Sequence, residues 1–271
     1  MIAAVERVVV ALDAASENRA AIGAAARLAA RWKAHLHGIF VEDDDLIRLA
    51  HLPFARQVTL GVGVEPFTLQ HAERQMRVFA ARARQELAAS AKRHGVGWSF
   101  EIVRDGGGEL SALPDDFLVA CTATRSIDGH FRVECRWWSG SASGPSARLL
   151  AHREGDRAGA VAALIQSREA SAERLLATAI RLAEAHDARL AVICPPSLAQ
   201  EPDFKAWLDE HLAGHAVEVD LELLRERALL HRHIAELHCR IVAVEAGADE
   251  ARPDCLRALV AAVACDVLVV R

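Results

Sequence analysis

The run Val8-Val9-Val10-Ala11-Leu12, closed by Asp13, decides the fold because the chain contains its pattern twice. Downstream of it, Arg27-Leu28-Ala29, Ala34, Leu36 and Ile39 return 154 positions later as Arg181-Leu182-Ala183, Ala188, Leu190 and Ile193. The apolar run itself returns as Val161-Ala162-Ala163-Leu164-Ile165, with one residue of slip in the turn. Each copy therefore reads as an apolar strand, a polar turn, an Ala/Leu-rich helix and a second apolar strand. Self-similarity at half the chain length points to two versions of one domain, not to a short-period solenoid.

Outward from the first copy, Ser16 is placed to cap a helix running to about Lys33. A strand over 34–41 leads into the acidic loop Glu42-Asp43-Asp44-Asp45. A short amphipathic piece over 46–52, Pro53 and a loop through Gly61 and Gly63 follow. Met76, Phe79, Ala83 and Leu87 then predict a long helix over about 66–94. Strands are expected at 98–103 and 117–122, separated by Gly106-Gly107-Gly108. The second copy predicts strands at 160–165, 189–194, 216–221, 240–244 and 267–270. Its helices are expected at about 170–186, 203–211, 224–237 and 253–263. Nearly all-apolar strands alternating with helices mean a parallel sheet covered on both faces. Between the copies, 125–159 is rich in Ser, Gly and Arg. There, 131–138 is a candidate hairpin arm that could pair back on the fourth strand and stand in for a missing fifth.

With 271 residues and 52% hydrophobic content, the chain can bury one large core or two cores of about 130 residues each. A net charge of −5 supplies no basic field for nucleic acid or an anionic bilayer. Charge in Met1-Ile2-Ala3-Ala4-Val5-Glu6-Arg7 argues against a secretory signal. No run approaches the ~20 apolar residues of a membrane span. A soluble, cytoplasmic protein with no membrane or nucleic-acid partner is expected. Six scattered cysteines without a CxxC fit a reduced compartment.

The strand ending in Asp13, the Ser16-Glu17-Asn18 helix start, the Ala-rich helix and the strand closing in Val41-Glu42-Asp43 resemble the universal stress protein family. The ending Cys265-Asp266-Val267-Leu268-Val269-Val270-Arg271 is similar to that family's last strand. The resemblance implies an α/β fold of two tandem, open, parallel-sheet, Rossmann-like domains packed as a pseudo-dimer. Their expected extents are 1–155, irregular toward its C-terminal part, and 156–271, degenerate. Nucleotide-binding members carry Gly-x2-Gly-x9-Gly-Ser/Thr after the fourth strand, where glycine amides and a hydroxyl hold phosphates. Carried onto this chain, the resemblance implies an ATP site, with Mg, at Asp13, Val41, Gly129, Gly140 and Ser141. The pattern is damaged: Ser126 replaces the first glycine, ten residues instead of nine precede Gly140, and Asp128 would face the phosphates. In the second copy Gln166 replaces the acid, and only Gly247 follows the fourth strand.

The expected function is non-enzymatic, stress-type regulation through an unknown protein partner or a homodimer, with nucleotide binding weak or lost. The alternative is an ATP-binding regulatory protein, a weak ATPase or sensor using the first domain. No catalytic residue or metal site is expected. His231, His233, His238 and Cys239 do not converge on a helix and lack paired zinc spacings. Glycine ends the helix between His211 and His215, and 42–45 reads as charge at a helix start. His35 and His37 share a strand face as a packed polar edge or a cleft lining.

Overall fold

Valine-rich β1 (Arg7–Leu12) is the hub of the first half. It is followed by α1 (Arg19–Trp32), β2 (His35–Glu42), α2 (Asp44–Ala50), β3 (Arg56–Thr59) and β4 (Gly63–Pro66). Then come α3 (Leu69–His94), β5 (Trp98–Arg104), β6 (Phe117–Cys121), β7 (Thr124–Ile127), β8 (His130–Val133) and β9 (Ala147–Ala151). The second half runs β10 (Ala160–Leu164), α4 (Ala170–His186), β11 (Leu190–Cys194), α5 (Pro196–Ala199) and α6 (Phe204–Leu212). It closes with β12 (Val219–Leu223), α7 (Leu230–Glu236), β13 (Cys239–Glu245) and β14 (Asp266–Val270). This computed structural model describes residues 5–14, 18–42, 44–59, 63–104, 115–121, 124–127, 130–133, 146–151, 158–226, 229–248, 251, 255, 259 and 265–271.

Ten strands form one sheet in the order β12-β11-β10-β13-β14-β9-β6-β1-β2-β5. Each half is parallel with the same internal order, and the copies agree in register. Val8 pairs with Leu36 and Phe117, and Val161 pairs with Leu190 and Ile241. Leu36 pairs with Trp98 as Leu190 does with Val219; Phe117 pairs with Ala147 as Ile241 does with Asp266. The one antiparallel seam joins β9 to β14, where Leu149 faces Leu268, its own counterpart in the other copy. A pseudo-twofold axis thus passes through that leucine pair.

Alternation along the strands splits the core into two layers. Val8, Val10, Leu12 and Leu36 pack with α1, α3 and α4 in a core that crosses the seam. Val9, Ala11, Ile39 and Val41 face the other way, in a layer that contains Leu230 and Ile234 of α7. Both hub helices end alike. Lys33 (φ 54°) and Asp187 (φ 50°) are left-handed caps, whose N–H groups return to Ala29 and Ala30, and to Ala183 and Glu184.

Several details differ from the sequence reading; among them, the helix expected over 224–237 is the shorter Leu230–Glu236 and the strand expected at 216–221 is Val219–Leu223. The N-cap of α1 is Asn18; Ser16 lies outside the described residues. The fifth strand of the first half is Ala147–Ala151, beside β6. The predicted hairpin arm instead begins in β8, which pairs with β7 in a separate two-stranded sheet. Finally, the glycine loop before α3 is flanked by the β3–β4 hairpin, in which Val58 pairs with Val64. The expected helix over 253–263 falls largely outside the described residues.

Candidate functional site

An open parallel sheet offers a ligand the crevice beyond its strand ends, where the order reverses. Here that point lies between β1 and β6 in the first half and between β10 and β13 in the second. Asp13 follows β1, partly exposed, one step beyond the Leu12–Phe40 pair and therefore beside Val41. Asn18 fixes this turn: its Nδ2 donates to the Asp13 carbonyl at 2.9 Å, and its Oδ1 accepts from the Asp13 N–H at 3.4 Å. Val41 is 4% exposed, so it contributes a wall and not a polar contact. Gly129, Gly140 and Ser141 lie outside the described residues. The backbone of Ser126, at the position of the missing first glycine, is engaged in β7 opposite Phe131.

The second crevice has different chemistry. Gln166, the counterpart of Asp13, is exposed. Across from it, Glu245 ends β13; Ser171, opening α4, donates its hydroxyl to Glu245 Oε2 at 2.8 Å. The other oxygen, Oε1, is buried with no hydrogen-bond partner. A partly buried carboxylate therefore stands at the end of β13, beside the start of α4.

The remaining constellations also resolve. His233 Nε2 faces Glu222 at 3.7 Å, His238 is a left-handed residue bonded to the Glu236 carbonyl, and Cys239 is buried. Burial lifts the Cys239 thiol to about 11. Among the described residues no three potential ligands gather around a metal position. His211 caps the end of α6 through the Trp207 carbonyl, Gly214 (φ 85°) follows, and His215 pairs with Glu184. At the other end of the hub helices, a cavity of about 450 Å³ includes Arg31, Trp32, Arg181 and Glu184 in its lining. The Arg181 guanidinium sits 5.3 Å above the Trp32 ring, and burial lowers its pKa.

The chain superposes on a universal stress protein from Archaeoglobus fulgidus DSM 4304 with a TM-score of 0.59 at 14% identity, covering 97% of this chain and 96% of that one. The chain has the universal-stress fold. A functionally unknown protein from Pseudomonas aeruginosa PAO1 has the same architecture, with a TM-score of 0.59 at 13% identity over 98% of this chain and 92% of that one. No protein-family model and no curated protein sequence matches the chain. At such identities the likeness concerns the fold, and in the universal-stress fold, as in others, function depends on the site. Among the described residues no helix is long and apolar enough to cross a membrane.

Asp13 and Val41, both singled out from the sequence, stand at the ends of neighbouring strands. The sequence reading missed Glu245 and Ser171, which lie 74 residues apart and meet only through the sheet. A signal existed: an acid, Glu245, directly after the apolar run 241–244, where the first copy has Cys121.

Proposed function

We propose that this is a regulatory protein of the universal stress type that acts by binding a protein partner, with nucleotide affinity weak or lost at both crevices. The observation that carries the reading is the Ser171–Glu245 contact, which puts a carboxylate in the second crevice while Gln166 replaces the acid. Triphosphate desolvation is not offset there without closely approaching N–H donors. Support in the first crevice is the strand pairing of Ser126, which commits backbone that a phosphate loop needs free. In this reading the copies are domains of 1–155 and 156–271, the protein is cytoplasmic, and it is not an enzyme at either crevice. The partner is another protein or a second copy of this chain.

The second reading is an ATP-binding regulator using Asp13, Val41, Gly129, Gly140 and Ser141, with Mg. What favours it is Asp13, held at the strand end by Asn18 in the position where the resemblance asks for the acid. The absorbance ratio of the supernatant after denaturing purified protein separates the two. A protein-only reading releases no nucleotide; a stoichiometric release of adenine nucleotide replaces it with the second. Capture from native lysate with Gln166 and Asp13 intact then identifies the partner.

A further inference from the structure

The outer edge of the first-half sheet carries a side-chain chain that neither crevice uses. β5 ends the sheet, paired with β2 alone among the described residues. Leu36, Trp98 and Phe100 pack toward the α1/α3 core, so His35, His37, Ser99 and Glu101 share the opposite face. The Ser99 hydroxyl lies 2.7 Å from His37 Nδ1 and 2.8 Å from His35 Nε2. His37 Nε2 is in turn 3.4 Å from Glu101 Oε1, a buried oxygen with no hydrogen bond of its own. With the His37 proton on Nε2, the side that faces the Glu101 carboxylate, Nδ1 is left to accept from Ser99. Ser99 then accepts from His35 Nε2–H.

The fold does not require this arrangement. At the equivalent positions the second copy has Arg189, Ala191, Asp220 and Glu222, and closes its edge with an ordinary Arg189–Asp220 ion pair of 2.8 Å. A nucleophile, a base in hydrogen-bond reach and a carboxylate orienting that base are the parts that activate a serine. The Phe100 amide adds a donor: Leu36 N–H bonds to Gly97 O, so alternation aims the Phe100 N–H away from β2. Among the described residues no strand pairs with that side of β5, so this amide, directly after the nucleophile, can donate to a developing oxyanion.

We propose that Ser99 is a nucleophile that accepts an acyl group from an activated carboxylic ester, with His37 as its general base and Glu101 as the residue positioning that base. Ser99 Oγ bonds to the carbonyl carbon as its proton passes to His37 Nδ1. The ester C–O bond then breaks, and the departing alkoxide or phenoxide takes that proton. The product is an acyl-serine. This goes beyond the proposed function and concerns a different place in the fold; it requires no turnover, so it coexists with a binding role.

The test is labelling of the full chain with a fluorophosphonate, mapped by peptide mass spectrometry, with p-nitrophenyl acetate as the acyl donor in parallel. The expected result is one adduct at Ser99, lost in Ser99→Ala and slowed about a hundredfold in His37→Gln. Glu101→Gln should shift the pH profile of labelling without changing the melting temperature. An unmodified Ser99 in the native protein, with label only on scattered surface groups, overturns the proposal. So does labelling of Ser99 at an unchanged rate in a folded His37→Gln protein.

Discussion

The two halves share strand order and register, yet they fill the same positions with opposite chemistry. At the first crevice an acid, Asp13, follows the hub strand and Cys121 ends the fourth strand; at the second, Gln166 follows the hub strand and the acid, Glu245, ends the fourth. At the opposite sheet edges, His35, His37 and Ser99 occupy the positions that Arg189, Ala191 and Asp220 hold in the second copy. The backbone scaffold is conserved between copies while the groups that do chemistry are not. The scaffold is set by buried valines, leucines and alanines, which any apolar residue of similar volume satisfies. The strand ends carry no such constraint, so each copy diverged there without unfolding.

The most damaging way to break the comparison is at its axis. Leu149 and Leu268 are buried, 1% and 0% exposed, and face each other across the seam. Either residue changed to Asp should prevent folding, since a carboxylate would be buried without a partner. Changed singly to Ala, each should cost about 3 kcal/mol in urea unfolding. Near-equal costs are expected from the symmetry, whereas a harmless loss at one position would show that the seam is not shared.

A smaller effect sharpens where the copies differ inside the core. Gly38 corresponds to Val192, and an added Cβ there would meet Leu87 Cδ2 at 2.5 Å and Phe100 Cδ2 at 3.1 Å. Gly38→Val should destabilise the protein by about 2 kcal/mol, read as a lower denaturation midpoint. A neutral result would mean that α3 moves aside freely.

Cys239 tests the burial of β13. Burial raises its thiol pKa from 9.0 to about 11. The folded state therefore favours the protonated thiol, and that preference is fully present below pH 9. It is lost as the pH rises from about 9 through 11, on the order of 2 kcal/mol. Cys239→Ala should flatten the alkaline limb of the stability curve; an unchanged limb would assign it elsewhere. Smaller still is the Arg189–Asp220 pair, both partners partly exposed. A double-mutant cycle should return a coupling under about 1 kcal/mol, marking the second edge as ordinary surface.

Much of this architecture was legible in the residues, and the exceptions have physical reasons. The hub strands and α4 follow from apolar runs and helical spacing, and the slip of one residue in the turn reappears in the paired registers. β9 stayed hidden because Arg148 interrupts its apolar run. That guanidinium lies half-buried, its pKa lowered by desolvation and then by Arg271. β3 and β4 escaped because Val58 and Val64 are their outward pair, 78% and 63% exposed, without the buried alternation that marks a strand. The Ser99–His37 contact was illegible because cross-strand neighbours 62 residues apart leave no local pattern.

The claim that the nucleotide crevices have been surrendered meets its most direct test in calorimetric titration of the full chain with ATP and Mg. The account predicts millimolar affinity or none, improved by Asp128→Gly, which removes a negative charge from the loop. Sub-micromolar binding to the unaltered protein would contradict it and make the first half a nucleotide sensor.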